Sequence, residues 1–402
     1  MIAINKFLLL ISALIIAASN SNAATPDEVI SGLMQAAELN STTLRANRAS
    51  LSALEASERT STNYEDPEIE FEHLWGSKSV GGNKLTAGIS QEFRLPGVYS
   101  ARKAAAEKRV GKARWEYLLN AADVRNQIRN LCCDVITANA ELSILSQQDS
   151  AFMVMEQILT KQLEARDVTI LDVSKIKLER AQLKISICQA SNNKEQAMEA
   201  LAFMTSKSPL LYELTSVKEL PTCDFYTIDA YTAAVEESLA NGLGEALISV
   251  AAAEKAQSRR DNIPGLKLGY VFNREMGETF NGLSASMSIP LFSNRGKSRI
   301  ADENLSQATI EAQAITTQLL SDIKQTYSQA ENFKTVISQY QRAIEESNYQ
   351  QTLLKAYNGR QISLVSYLQE INYYLESLLT LNNLRADYYK TVGKLELLVQ
   401  KR

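Results

Sequence analysis

The chain has 402 residues, with 42 lysines and arginines against 46 aspartates and glutamates and a formal net charge of −4. This mild acidity, with no basic run anywhere, excludes a nucleic-acid partner. A single histidine, His73, and four scattered cysteines (Cys132, Cys133, Cys188, Cys223), none in a CxxC pair, argue against a catalytic zinc site. There is no phosphate-cradling glycine loop and no GxSxG elbow. No cofactor is therefore expected, and the chain does not read as an enzyme. The cysteines read as small buried helix residues, with a Cys188–Cys223 bridge left open if the compartment is oxidising.

The first 23 residues read as a secretory signal. Lys6 is their only charge, Phe7 to Ala18 is apolar except for Ser12, and Ser21-Asn22-Ala23 fits a small-x-small cleavage site. The run falls short of the about 20 residues needed to span a bilayer. The first cysteine is Cys132, which argues against lipid attachment at a new N-terminal cysteine.

Helical patterns at 27–60 and 229–260 each precede a pair of strand patterns, at about 67–75 and 85–95 and at about 265–273 and 282–291. Ile69, Phe71, His73 and Trp75 alternate with Glu68, Glu70 and Glu72. Leu85, Ala87, Ile89, Phe93 and Leu95 alternate with Thr86, Ser90, Glu92 and Arg94, with Gln91 on the apolar side. Leu266, Leu268, Tyr270 and Phe272 oppose Lys267 and Asn273, and Leu283, Ala285, Met287, Ile289 and Leu291 oppose Ser284, Ser286 and Ser288. The tips, Ser77 to Lys84 and Arg274 to Asn281, are polar and glycine-bearing. Such strands fit either a membrane barrel with its apolar face outward or a sheet packed on a soluble core.

Between the strand pairs the chain is helical. No proline occurs between 97 and 208 or after 290, and Gly111 is the lone glycine from 98 to 208. Two helical hairpins are predicted, with outgoing arms at 97–165 and 296–358 and returning arms at 169–207 and 363–401. The first turns near Glu164 to Thr169, and the second stops at Asn358-Gly359. Along the last arm Leu364, Leu368, Ile371, Leu375, Leu378, Leu381, Leu384, Tyr388, Val392, Leu395 and Leu398 form one apolar stripe, which is plain core packing. An outgoing arm of about 69 residues reaches about 100 Å, and a returning arm plus a pre-strand helix matches it. The irregular 208–228 segment would girdle a helical cylinder of that length.

The architecture is written twice. Pro67-Glu68-Ile69-Glu70-Phe71, Leu85-Thr86-Ala87-Gly88-Ile89 and Arg166-Asp167-Val168-Thr169-Ile170-Leu171-Asp172 return 194 to 198 positions later as Pro264 to Leu268, Leu283 to Met287 and Arg360 to Ser366. The domain reading is a signal at 1–23, a first repeat at 24–210, a linker at 211–228 and a second repeat at 229–402. Four strands cannot close a barrel, and lipid does not tolerate an open sheet edge. Several chains must then share one: a dimer of eight strands or a trimer of twelve, of which the larger leaves room for an aqueous channel.

With these elements in place the chain resembles the TolC family of outer-membrane efflux proteins. The likeness rests on the signal, the duplication, the Arg94-Leu95-Pro96-Gly97 exit, the stretch Ile289-Pro290-Leu291-Phe292-Ser293-Asn294-Arg295-Gly296, and the turn Ala356-Tyr357-Asn358-Gly359-Arg360-Gln361-Ile362-Ser363. The short length and the Leu-Pro-Gly exit are similar to the heavy-metal and cation efflux branch. The resemblance implies a mainly α fold with a membrane β-barrel contribution, in a homotrimer with a shared 12-stranded barrel and a periplasmic α-helical tunnel. It also implies outer-membrane lipid around the barrel and, as partners, a periplasmic adaptor and an inner-membrane pump of the resistance–nodulation–division class. Adaptor contact is expected at the tips, at Arg166, Asp167, Gly359, Arg360 and Gln361. Family members often close the tunnel with acidic residues just past the second tip. The matching positions here carry Ser366 and Gln369, and the repeat partner of Ser366 is Asp172, so an acidic ring is expected from the first hairpin instead. The competing class is a soluble periplasmic coiled-coil adaptor or structural protein, which explains the helices and leaves the four alternating strands unexplained.

Overall fold

The computed structural model describes residues 25–76, 82–289, 296–346 and 348–401. The signal at 1–23, most of the first hairpin tip and the second strand-to-helix exit at 290–295 lie outside the described residues.

The chain runs α1 (Pro26–Asn40), α2 (Thr42–Arg59), β1 (Glu68–Leu74), β2 (Lys84–Phe93), α3 (Pro96–Glu164), α4 (Ile170–Met204), then α5 (Leu210–Leu214), α6 (Ile228–Ala233), α7 (Leu239–Arg260), β3 (Gly265–Glu275), β4 (Glu278–Ser288), α8 (Lys297–Glu346), α9 (Tyr349–Asn358) and α10 (Leu364–Leu398). The order repeats as the sequence predicts: helix, strand pair, helical hairpin. The two returning helices, α4 and α10, each have 35 residues.

Three element boundaries depart from expectation. The first pre-strand helix is split at Ser41, a buried residue with extended backbone (ψ 124°) that starts α2 afresh. The second outgoing arm is two helices rather than one. Asn348 adopts φ 39°, a left-handed conformation that asparagine tolerates better than most residues. The second hairpin is also tighter than its polar tip suggests. β3 and β4 run on to Glu275 and Glu278, and a two-residue turn at Met276 and Gly277 joins them. Both turn residues are left-handed (φ 53° and 88°), a pairing whose twist matches that of the strands.

Contacts divide the chain into two compact units that cut across the sequence halves. One takes the start of the chain to Ala36, Leu131–Thr222 and Gln350–Asn382; the other takes Ala37–Asn130, Cys223–Tyr349 and the C-terminal residues from Asn383.

The first unit holds α4, α5, α9 and parts of α1, α3 and α10. Leu145, Phe152, Leu183 and Ala190 form an apolar cluster joined by Leu142, Ile187 and Leu379. Polar ties fix the register of its helices. The Asn139 side-chain amide donates to the carbonyls of Leu214 (3.1 Å) and Val217 (2.7 Å), anchoring the segment after α5. Gln148, buried, donates to Asn372 Oδ1 at 2.9 Å. Arg180 reaches back to Asp149 and Glu156 on α3 at 2.9 and 3.0 Å, which ties the two arms of the first hairpin.

The second unit holds the sheet and the helices around it. One of its clusters gathers Tyr231, Val235, Leu319, Ile323, Ala330, Val392 and Leu395, with Phe225, Tyr327 and Tyr388 packed against it. Phe225 stacks on Tyr327 at 4.9 Å, so the segment before α6 is held by aromatic packing. Arg129 lies over the Tyr389 ring at 4.4 Å and pairs with Glu396, joining α3 to α10. The sheet is an antiparallel meander in the order β1-β2-β3-β4.

The four cysteines form no disulfide: Cys132 and Cys133 are buried, Cys223 is half-buried and Cys188 is exposed. Cys188, which is exposed, and Cys223, which is half-buried and outside any helix, therefore depart from the buried-helix reading. Burial pushes the Cys132 thiol up to about 12, where it is unreactive.

Candidate functional site

The register of the sheet sorts its side chains cleanly. Ile69 pairs with Ile89, Ile89 with Tyr270 and Tyr270 with Leu283, so these four share a face. Phe71, Ala87, Phe272, Phe93, Leu266, Leu268, Ala285 and Met287 fall on that same face by the same pairings. Glu68, Glu70, Glu72, Thr86, Ser90, Glu92, Lys267, Asn273, Ser284, Ser286 and Ser288 fall on the other. The alternation predicted strand by strand becomes a mainly apolar and a mainly polar surface, with Arg274, Thr279 and Asn281 on the apolar side near the second tip and Val271 and Phe280 on the polar side. Gln91, also on the apolar side, donates its amide to the Glu65 carbonyl. On the polar face Lys267 bonds Glu68 across β2.

The apolar face is open. Ile69 is 82% exposed and Leu283 92%, and Phe71, Ile89, Leu268, Tyr270 and Met287 are exposed as well. Among the described residues β1 and β4 are edge strands, so the sheet also presents two rows of unpaired backbone groups. An open apolar face and open edges together are tolerated in water only if something covers them. Trp75, beyond the end of β1, stands edge-on to His73 at 4.9 Å and is itself exposed.

The two hairpin tips are the same turn built twice. At the first, the amide of Arg166 donates to the Leu163 carbonyl (3.0 Å) and that of Asp167 to the Gln162 carbonyl (2.8 Å). At the second, Arg360 donates to Tyr357 (3.0 Å) and Gln361 to Ala356 (2.9 Å). Both are the paired 5→2 and 6→1 bonds that close a helix C-terminus. The left-handed residue that this closure needs is Arg166 (φ 63°) in one copy and Arg360 (φ 58°) in the other. Gly359, which the sequence marks as the stop, is not left-handed; its amide still donates to Lys355, four residues back, at 2.8 Å.

Each turn then starts the returning helix with a hydroxyl cap. Thr169 Oγ1 accepts from the Asp172 amide (3.4 Å), and Asp172 Oδ2 accepts from the Thr169 amide (2.9 Å) and hydroxyl (2.7 Å). Those bonds hold the Asp172 carboxyl below the usual carboxylate range. In the second copy Ser363 Oγ accepts from the Ser366 amide at 3.0 Å and lies 2.9 Å from the Ser366 hydroxyl. Asp172 and Ser366 thus occupy one structural position, the third residue of a returning helix. Arg166, Asp167, Gly359, Arg360, Gln361 and Gln369 are exposed, and Ser366 is half-buried. The capping role of Asp172 was legible in the Thr-x-x-Asp spacing, whereas the left-handed arginines carry no sequence signal.

Among the described residues no helix is long and apolar enough to cross a membrane, and no group of histidine, cysteine, aspartate or glutamate side chains is placed to hold a metal ion.

No family model matches the sequence, and no curated relative does. Solved structures do. The structure of CusC, a transmembrane channel, superposes with a TM-score of 0.74 at 15% identity over 96% of this chain and 96% of that one. The chain has the fold of the TolC family. The Campylobacter jejuni outer membrane channel CmeC gives a TM-score of 0.75 at 13% identity over 96% of this chain and 89% of that one. The outer membrane protein VceC from Vibrio cholerae gives 0.74 at 14% over 92% and 96%. This TolC fold spans nearly the whole described chain, and the strand pairs and helical hairpins both belong to it.

Proposed function

We propose that the chain is the exit duct of a tripartite efflux system in the bacterial outer membrane. It conducts passively what an inner-membrane pump of the resistance–nodulation–division class delivers through a periplasmic adaptor. The observation that carries this reading is the four-stranded sheet, whose apolar face is uncovered and whose two edges are open. β2, β3 and β4, with 10, 11 and 11 residues, match the about 9–11 residues that a tilted strand needs to cross a bilayer, and β1, with 7, is shorter. In lipid an open edge leaves backbone groups without partners, which three copies in a closed 12-stranded barrel would remove. The polar face then lines the water-filled interior, and the signal at 1–23 is cleaved on export. The fold's occurrence in outer-membrane channels supports the same reading.

In this reading the tips, with Arg166, Asp167, Gly359, Arg360 and Gln361, meet the adaptor. Asp172, Ser366 and Gln369 lie near the tunnel entrance, with Asp172 offering the acidic ring. The Leu95-Pro96-Gly97 exit and the short chain support the heavy-metal and cation branch. The duct needs no cofactor and makes no covalent change.

Extraction tests the duct against a soluble coiled-coil adaptor. The duct requires detergent and shows heat-modifiable migration. A chain that remains monodisperse in buffer without detergent rejects it.

A further inference from the structure

A cleft of about 880 Å³ opens where β2 hands over to α3, roofed by the end of α2. It joins two kinds of surface. Phe93 and Tyr64, both exposed, bring the apolar character of the sheet face to its rim. Tyr64 stands edge-on to Tyr99 at 5.2 Å. The remaining wall is charged. Glu55 and Glu58 line it but are already neutralised: Glu55 by Arg114 at 2.8 Å, and Glu58 by a two-pronged contact with Arg109 at 2.6 and 2.7 Å. Arg59 and Lys103 also line it, and neither makes an ion pair or side-chain hydrogen bond among the described residues. Arg94, which also lines the cleft, pairs with Glu92 of the polar face at 3.1 Å. The first turn of the 69-residue α3 ends at the same place, adding the positive end of a long helix. Against these stands one unpaired carboxylate, Glu107.

We infer that this cleft binds the phosphodiester headgroup of one membrane phospholipid per chain, with the acyl chains lying along the apolar face of β2. The inference rests on the proposed membrane location of the sheet. If the apolar face meets hydrocarbon, its boundary falls at Phe93, and the cleft lies at the level of lipid phosphates. Aromatic rings with a polar edge, such as Tyr64 and Tyr99, favour that level, as do long cations that extend from apolar ground into water. Two unpaired cations, Arg59 and Lys103, and an apolar wall for the chains are the features a phospholipid satisfies together. Free phosphate uses the first and not the second.

The test uses the full-length mature protein, stripped of lipid in detergent and titrated with phosphatidylglycerol while bound lipid is counted by native mass spectrometry. The variant is R59Q/K103Q, which removes the unpaired cations and leaves the Arg109–Glu58 and Arg114–Glu55 pairs intact. We expect one tightly held phospholipid per wild-type chain and about 30-fold weaker retention in the variant, each cation near an anionic headgroup being worth about a factor of five. Equal retention in wild type and variant overturns the inference. So does displacement of the lipid by an equimolar amount of inorganic phosphate, which would make the cleft a free-phosphate site. Cross-linking from a Ser100→Cys variant to a neighbouring chain would show the cleft filled by protein and would also overturn it. Failure of the wild-type chain to associate with phosphatidylglycerol vesicles at all would sink both this inference and the duct reading, whereas insertion with unchanged lipid counts sinks the inference alone.

Discussion

Arg166 and Arg360 hold the same place in two copies of one turn, each left-handed (φ 63° and 58°) and each donating its amide to the carbonyl three residues back at 3.0 Å. A left-handed conformation costs a residue with a Cβ about 1–2 kcal/mol, and glycine avoids that cost. Both copies nevertheless carry arginine, and in the second a glycine stands one position too early to help. A backbone arrangement that disfavours the side chain it carries points to a use for that side chain.

Replacing Arg166 or Arg360 by glycine should therefore stabilise its tip by about 0.5–1 kcal/mol, part of the relief being offset by glycine's greater freedom in the unfolded chain. Replacement by alanine should not. If the guanidinium groups contact an adaptor, all four variants assemble normally and lose efflux in a complementation assay. Full efflux in every variant would show that these charges are only solvated surface.

The first returning helix depends on its cap. Thr169→Ala should cost about 1 kcal/mol locally and speed amide exchange over residues 170–175. The cap is also sensitive to acid. The Thr169 bonds lower the Asp172 pKa in the folded chain, so their contribution is complete above the ordinary carboxylate range and disappears as pH falls through the lowered value. Protection of these amides, after correction for their intrinsic exchange rates, should fall in acid in the wild type and be less pH-dependent in Asp172→Asn. If Asp172 also narrows the entrance, Asp172→Ala raises single-channel leak. Unchanged conductance would confine it to capping.

The sheet faces predict an asymmetry. Arginine in place of Ile69, Phe71 or Leu268 should cost about 2–4 kcal/mol of folding stability in lipid if the position is near mid-bilayer, while arginine in place of Ser286 should be much milder. Urea or guanidinium titrations of the protein folded into vesicles measure both. Equal penalties on the two faces would contradict the facing assignment.

Next to the proposed lipid cleft, Glu58 is 14% exposed and is held by Arg109, whose guanidinium bonds keep its carboxyl below the usual range. Arg109→Ala leaves that carboxylate without its partner and should destabilise by about 1–3 kcal/mol. Because the folded-state pKa is lowered, the stability difference between wild type and variant should be complete above about pH 4.3 and shrink as pH falls below it. A difference that stays constant to pH 3 would assign the loss to packing rather than to the ion pair.

The parts legible in the sequence are those with a period. Alternation placed Ile69, Phe71, Leu268 and Leu283 on one face, because a strand turns each successive side chain over. Spacing by three and four placed Val392 and Leu395, both fully buried, on the inner stripe of α10. The parts not legible are set by single backbone conformations. Nothing in Glu346 to Tyr349 announces that Asn348 will turn left-handed and divide the outgoing arm, since asparagine is also tolerated within helices. At the second tip, Gly359 drew the stop one residue early, because glycine's preference is statistical and the pattern of amide donations selects Arg360. The cleft was invisible for another reason: Arg59, Arg94 and Lys103 are ordinary surface cations until the strand-to-helix corner brings them together.

Closure of one barrel by three copies is read from the mass of the detergent-solubilised assembly, followed by its reconstitution into a planar bilayer. A shared barrel gives a mass of three chains and a stable aqueous conductance. A monodisperse monomer that forms no channel would contradict it.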